Sequence, residues 1–446
     1  IGLRLHSRGC YTDRIRALPL PINRDLLYRA AFWLAFASAA TILISITASQ
    51  TLLALSLGVL LASRHGLRLP RMWLPLALFL FGTLLALVFS PNPQHGLPQV
   101  KKMFVFSMLL VVFSTFRELR TARRLFLLWG GIGTVVACIG LAQFAVNLYA
   151  AHAQHRPLYM AYMLGRFSGS MSLPITFAGQ DMIVLLTLLA FLLFARGVPK
   201  RLLWMGSVAA AVIALVLLAN GTRTVWLGAA AGGIWLLWRW SRWMAAAGPT
   251  AILLLVWLIP GPVHDRFRSI FQPEKNTDSN EFRLICIRTG VRMIEAHPLM
   301  GIGLDETKYH FLDYLPPDTR RPLPPGFYQH LHNFYLQYAA ERGIPTLLMM
   351  IWLLLLIIYH FYRALQKLPA GPGDARFLLH AGIATVIGVM VSGLFEVNLG
   401  DSEVLTVFLV VVACGYLAAT PASAPRQLPV QNSTDAIGAF EDGSRG

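Results

Sequence analysis

Leu202-Leu-Trp-Met-Gly-Ser-Val-Ala-Ala-Ala-Val-Ile-Ala-Leu-Val-Leu-Leu-Ala219 carries no charge over a length that crosses the hydrocarbon core of a bilayer. Lys200-Arg201 stand just before it and Asn220-Gly-Thr-Arg223 just after. Working outward, similar apolar runs are predicted at 30–47, 50–63, 72–90, 101–116, 122–148, 174–195, 224–239, 246–260, 344–362, 377–397 and 403–419. The fold class that follows is an all-α polytopic membrane protein of about twelve transmembrane helices. The composition agrees, because 56% hydrophobic and 13% charged residues exceed the apolar share of a water-soluble domain.

A net charge of +17 in a soluble domain would suggest nucleic acid, but here the arginines mark the short connections. Arg64/Arg68/Arg71, Arg117/Arg120/Arg123/Arg124, Arg196/Lys200/Arg201, Arg239/Arg242 and Arg363/Lys367/Arg376 occupy every second one. This is the positive-inside pattern, so both termini are expected on the cytoplasmic side and no nucleic-acid partner is expected. The expected organisation is an N-terminal arm at 1–29, spans one to nine within 30–260, and a large helix-containing loop on the outer side at 261–343. Spans ten to twelve follow at 344–419, then a disordered tail at 420–446 rich in Pro, Ser, Ala and Gly. Lys101 and Lys102 break the charge rule at the outer end of the fourth predicted span, so either they serve an anionic ligand or that span begins elsewhere. Cys10, Cys138, Cys286 and Cys414 show no metal-type spacing and are read as structural.

The long loop predicts a helix from Glu281 to Ala296, capped at Ser279-Asn280 and ended by His297-Pro298. On it Glu281, Arg288, Arg292 and Glu295 share one face, while Arg283 falls with Ile287, Gly290 and Ile294 on the packing side. A charge there needs a partner, either a neighbouring carboxylate or an anionic ligand. His330-Leu-His332-Asn333 comes next, with Asn333 as a helix N-cap. His332, at the positive end of that helix, is disfavoured as imidazolium and is a candidate general base. Two further arginines lie on the outer side: Arg166 in Gly165-Arg-Phe-Ser-Gly-Ser-Met-Ser-Leu-Pro174, and Arg223 in Asn220-Gly-Thr-Arg-Thr-Val-Trp226. Arg166, Arg223 and Arg283 together would suit a diphosphate, because guanidinium groups bind phosphate oxygens bidentately.

Gly221-Thr-Arg-Thr-Val-Trp226, Arg283 followed by Ala296-His-Pro-Leu-Met-Gly-Ile-Gly303, and His332-Asn-Phe-Tyr-Leu-Gln-Tyr-Ala-Ala-Glu-Arg-Gly343, in that order, resemble the O-antigen ligase and polymerase family. The Arg166 segment is similar to the family's arginine-glycine-proline pattern, although asparagines often found around that proline are lacking. The resemblance implies a glycosyltransferase, free of metal and cofactor, in the bacterial inner membrane. Its donor would be undecaprenyl-diphosphate-linked O-antigen and its acceptor a sugar of the lipid A core oligosaccharide, joined on the periplasmic face among membrane lipids. Arg166, Arg223 and Arg283, with Arg288, would hold the diphosphate, and His332 would activate the acceptor hydroxyl. His330, Asp181, Lys101 and Lys102 are secondary candidates, and Glu396, Asp401 and Asp305-Glu306 are alternative carboxylate bases. A repeat-unit polymerase shares the donor chemistry, and a protein O-oligosaccharyltransferase and a lipid-glycan transporter are further alternatives. A transporter would place charges along a path through the bilayer midplane, whereas these arginines sit at the outer boundary.

Overall fold

The computed structural model describes residues 23–420 except 158, 160–161, 163–164, 259–260, 269–279 and 325. The arm before residue 23, the tail after 420, Cys10 and the expected Ser279 cap lie outside these residues. Among the described residues there are helices, turns and no strand. In chain order the helices begin with α1 (Arg24–Thr41), α2 (Ile46–Ala62), α3 (Trp73–Val88) and α4 (Pro93–Lys101), which runs through a 3₁₀ turn into α5 (Ser107–Thr115). There follow α6 (Leu119–Ala153), α7 (Pro174–Phe194), α8 (Lys200–Asn220), α9 (Arg223–Trp240), α10 (Arg242–Leu258) and α11 (Pro262–Arg268). Then come α12 (Asn280–Ala296), the single turn α13 (Thr307–His310), α14 (Phe334–Lys367), α15 (Asp374–Ser392) and α16 (Ser402–Ala419).

Each predicted apolar run overlaps at least one of these helices, although 30–47 runs past the end of α1 at Thr41 into the start of α2. Among the described residues 7 helices are long and apolar enough to cross a membrane, namely α4–α5 taken together, α6, α7, α8, α14, α15 and α16. Helices α2 and α3 are apolar but shorter. Three of the long ones form the centre: the apolar windows of α7, α16 and α15 are 83%, 78% and 72% buried, against 33% for α8 and α14. Neighbouring backbones approach closely where small residues meet. A Cβ on Gly228 of α9 would lie 2.5 Å from the carbonyl of Gly388, and one on Gly232 would lie 2.6 Å from that of Ala384. The two helices thus pack antiparallel through a small-xxx-small seam. Its register carries the start of α9, and Arg223 with it, toward the chain that leaves α15.

The basic connections gather at one end of the bundle. There Arg123 pairs with Asp374 at 3.2 Å and donates to the carbonyl of Arg196, while the Gly373 amide bonds the carbonyl of Phe194 at 2.8 Å. Segment 280–343 lies at the other end with a small core of its own, built on Phe282, Cys286, Met293, Ile302, Phe311, Leu331 and Ala340. It is seated on α14 backbone to backbone: Ile302 donates to Ala340 and Ile344 donates to Pro298, both at 2.8 Å. That seat coincides with a kink in α14 at Gly343, which adopts φ 80° ahead of Pro345.

Three expectations need correction. The fourth run starts at Pro93 rather than 101, and Pro98 and the 3₁₀ turn at Lys102–Phe106 divide it, so Lys101 and Lys102 sit in mid-element. Helix α15, on the eleventh predicted run, stops at Ser392 rather than 397, because the Gly393 carbonyl turns out to accept the Phe334 amide at 2.8 Å. On α12 the buried stripe is Phe282, Ile285, Cys286, Thr289 and Met293, and Ile287 is exposed. The stripe is rotated because Leu331 packs onto Gly290, where an added Cβ would lie 2.7 Å from it. Arg283 is left half-buried at the stripe's edge.

A methyl group on Gly343 would fall 1.9 Å from the carbonyl oxygen of Leu299, at a backbone angle that already disfavours L-residues. Gly343→Ala is expected to cost about 2 kcal/mol or more and to lower the thermal midpoint of the purified protein in detergent. Gly58→Ala, on α2 with nothing within 4 Å of the new atom, should leave the midpoint unchanged or slightly raised.

Candidate active site

Helix α14 begins as its sequence requires. The Asn333 side chain accepts the Leu336 amide at 2.9 Å, and its own amide group donates to the carbonyl of Leu394 at 2.8 Å, tying the helix start to the chain after α15. Directly before the cap, His332 holds φ 49°, a left-handed conformation that costs a non-glycine residue on the order of 1 kcal/mol or more. This aims the ring inward. Its Nε2 lies 2.9 Å from the carbonyl of Phe327, which can only accept, so Nε2 carries the hydrogen and Nδ1 the lone pair of the neutral ring. Nδ1 faces Glu396 Oε2 at 3.5 Å, and the edge of Phe282 packs on the ring at 5.0 Å between centroids.

His330 completes a triangle. Its Nδ1 accepts the His332 amide at 3.2 Å and its Nε2 lies 3.8 Å from Glu396 Oε1. Burial, with help from His332 and Arg283, pushes the His330 imidazole down to about 4 against the pull of Glu396, so the ring is neutral near neutral pH. Burial alone would raise the Glu396 carboxyl, but a proton on Nδ1 of His332, which then donates to it, both rings and the Val397 amide hold it below the usual carboxylate range. Glu396 is therefore an anion with 8% of its surface exposed.

Around this carboxylate stand arginines. Arg166 donates from Nε to the carbonyl of Asn220 at 3.2 Å and from a terminal nitrogen to the Thr222 hydroxyl, which in turn bonds the Asn220 side chain. Gly221 between them takes φ 71°, and a Cβ there would strike the Tyr162 hydroxyl at 2.6 Å. Arg266, buried on α11, donates to the Gly221 carbonyl at 3.2 Å. Arg223 follows as the first, buried residue of α9. The Nε of Arg283 is buried without a hydrogen-bond partner among the described residues. Burial lowers the Arg166 guanidinium, the neighbouring Arg266 and Arg283 lower it further, and Glu396 opposes them. Burial likewise lowers Arg283, with Glu396 opposing and Arg266 adding to the effect. The structure thus brings Arg166, Arg266, Arg283 and Glu396 into one electrostatic neighbourhood.

Other sequence candidates lie elsewhere. Arg288 forks onto both oxygens of Asp318 at 2.7 Å on the exposed surface, so it is not a member of the cluster. Lys102 donates to the carbonyl of Gly400 at 3.0 Å, while Lys101 is exposed. Asp181 is buried in α7, with one oxygen lacking a partner among the described residues. Arg266 escaped the sequence reading, since Pro262-Val-His-Asp-Arg-Phe-Arg268 has neither apolar periodicity nor a recognisable motif.

His330, His332 and Glu396 also bring three ligand atoms within 4.8 Å of one another, a spacing that would admit a cation. Two features work against it. His330 Nδ1 is engaged by the His332 amide, so its neutral ring presents Nε2–H rather than a lone pair to Glu396. The neighbouring guanidiniums also repel a metal ion.

Residues 208–351 match the family described as O-antigen ligase. No curated protein matches the chain. The matched window takes in Asn220–Arg223, Arg266, Arg283, His330 and His332. Arg166 lies before it and Glu396 after it, and the fold returns both to the same place. What comes together is a carboxylate–histidine pair able to accept a proton, beside cations able to hold an anion. That is the equipment for moving a group off a phosphorylated leaving group.

His330 takes up its proton near pH 4 in the fold and near 6.5 in the unfolded chain, so between those values the unfolded chain binds more protons and acid favours it. The thermal midpoint should fall as pH drops from 6.5 toward 4, and should fall less in His330→Asn. Glu396, held below its usual 4.5, loses its own contribution only at lower pH.

Proposed function

We propose that the protein is an O-antigen ligase, an inverting, metal-independent glycosyltransferase that moves O-antigen polysaccharide from undecaprenyl diphosphate to a sugar of the lipid A core. The observation that carries this reading is the His332–Glu396 pair set among Arg166, Arg266 and Arg283, with part of the Arg283 guanidinium unpartnered. The family match over 208–351 supports the O-antigen pathway in general. The alternation of basic connections supports the bacterial inner membrane with this end of the bundle toward the periplasm.

In this mechanism the arginines, Arg223 included, bind the diphosphate oxygens and offset the charge that grows as the anomeric C–O bond breaks. The acceptor hydroxyl bonds to Nδ1 of His332. Its oxygen forms the new bond to the anomeric carbon from the opposite face, its proton passes to Nδ1, and undecaprenyl diphosphate leaves with the electron pair. The imidazolium so formed is held between Glu396 and the Phe327 carbonyl. Diphosphate is a good leaving group once its charge is neutralised, so no acid is required on its oxygen. A repeat-unit polymerase would use the same donor chemistry with a second carrier-linked glycan as acceptor.

Transfer from undecaprenyl-diphosphate-linked glycan to purified lipid A core in EDTA tests the reading. His332→Ala, Arg223→Ala and Arg283→Ala should each lower turnover by about a hundredfold or more. Arg288→Ala, whose guanidinium is engaged by Asp318, should change it less than about threefold. Chain growth on the carrier lipid with no transfer to the core would instead identify the polymerase.

A further inference from the structure

Beside the histidines opens a cleft of about 240 Å³ lined by His330 and Glu396 on one wall and by residues of α4, α14 and the 396–401 turn on the others. Its chemistry is the reverse of the arginine cluster. Arg166, Arg223, Arg266 and Arg283 do not line it; Asp305, Glu341, Asp401, Gln99, Gln329 and Gln337 do. The cations that reach it are already paired, Lys308 with Asp305 at 2.6 Å and Arg342 with Glu341 at 3.2 Å. Asp401 differs. Its Oδ2 accepts the Thr176 hydroxyl at 2.8 Å, and among the described residues no cation forms an ion pair with it.

The amides and carboxylates of this wall can bond the hydroxyl groups of a sugar, and Asp401 and Glu396, which have no Lys or Arg ion pair among the described residues, repel phosphate. Phe327, about half exposed at the mouth, offers a ring on which the C–H face of a pyranose can rest. Resting on the function proposed above, we infer that this cleft is the acceptor subsite. It admits a neutral, unphosphorylated sugar and presents its hydroxyl across His330 and Glu396 to His332. Asp401 and Gln329 are its specificity-determining residues. The diphosphate of the donor is excluded from it by charge and confined to the arginine side.

The test uses the full chain in detergent with undecaprenyl-diphosphate-linked glycan and two lipid A cores, one with an unmodified terminal hexose and one phosphorylated on that hexose. The wild type should prefer the unmodified core. Gln329→Ala, a change at an exposed residue, and Asp401→Asn should each raise the acceptor KM about tenfold and leave the donor KM unchanged, as expected for a lost hydrogen bond to the sugar. Asp401→Asn should also narrow the preference against phosphate. Equal use of both cores by the wild type, or a rise in donor KM with acceptor KM unchanged in both variants, overturns the acceptor subsite while leaving the ligase reading intact. A wild type that transfers to no sugar hydroxyl overturns both.

Discussion

A buried carboxylate at the rim of an apolar bundle must be compensated, and the arrangement around Glu396 follows from that requirement. Its anion is held by the His332 and His330 rings and the Val397 amide, with the field of Arg166 and Arg283 behind them. Each partner comes from a different stretch of chain: the loop before α7, helix α12, the turn before α14 and the turn after α15. The charge therefore links segments that the apolar contacts of the membrane helices alone would leave free to slide. In the proposed reaction, a proton passed to His332 would form an ion pair with that carboxylate.

That arrangement is kept in place by a second junction, where segment 297–303 lies against α14. Gly301 and Gly343 both take positive φ, and each sits against backbone of the opposite segment. Nearby, the almost fully buried Glu306 meets Ser90 from the turn after α3 and His95 from the start of α4, and faces His310 from its own segment. The loop core is thus fastened to the bundle on two sides. The turn carrying His330 and His332 lies on that core through Leu331, which is fully buried between them.

Hydropathy was enough to locate the helices because a bilayer demands that backbone groups bond within each span, which leaves long charge-free runs in the sequence. It did not reveal the early end of α15, because that depends on a partner distant in the chain, the Phe334 amide. The site was legible where local physics marks it. Asn333 reads as a cap from residue type alone, and the left-handed Gly221 from its place after a helix. Arg288 differs from Arg283 by the helix face it occupies, which the sequence shows, but its bond to Asp318, which takes it out of the cluster, has no local signature. Arg266 had no local signature at all, since what makes it part of the cluster is the Gly221 carbonyl 45 positions earlier.

The strain at His332 has a consequence for which nitrogen acts. With an ordinary φ the imidazole would leave the line between Phe327 and Glu396. At φ 49° Nε2 is committed to a carbonyl, and Nδ1 faces a carboxylate to which it can donate once protonated. A ring fixed at both ends loses little freedom when it accepts a proton, and Nδ1 is the nitrogen that carries the lone pair. The helix N-terminus that follows disfavours a positive ring, whereas the carboxylate favours one. In the proposed reaction His332, held between those opposing fields, takes the acceptor's proton during bond formation and releases it afterwards.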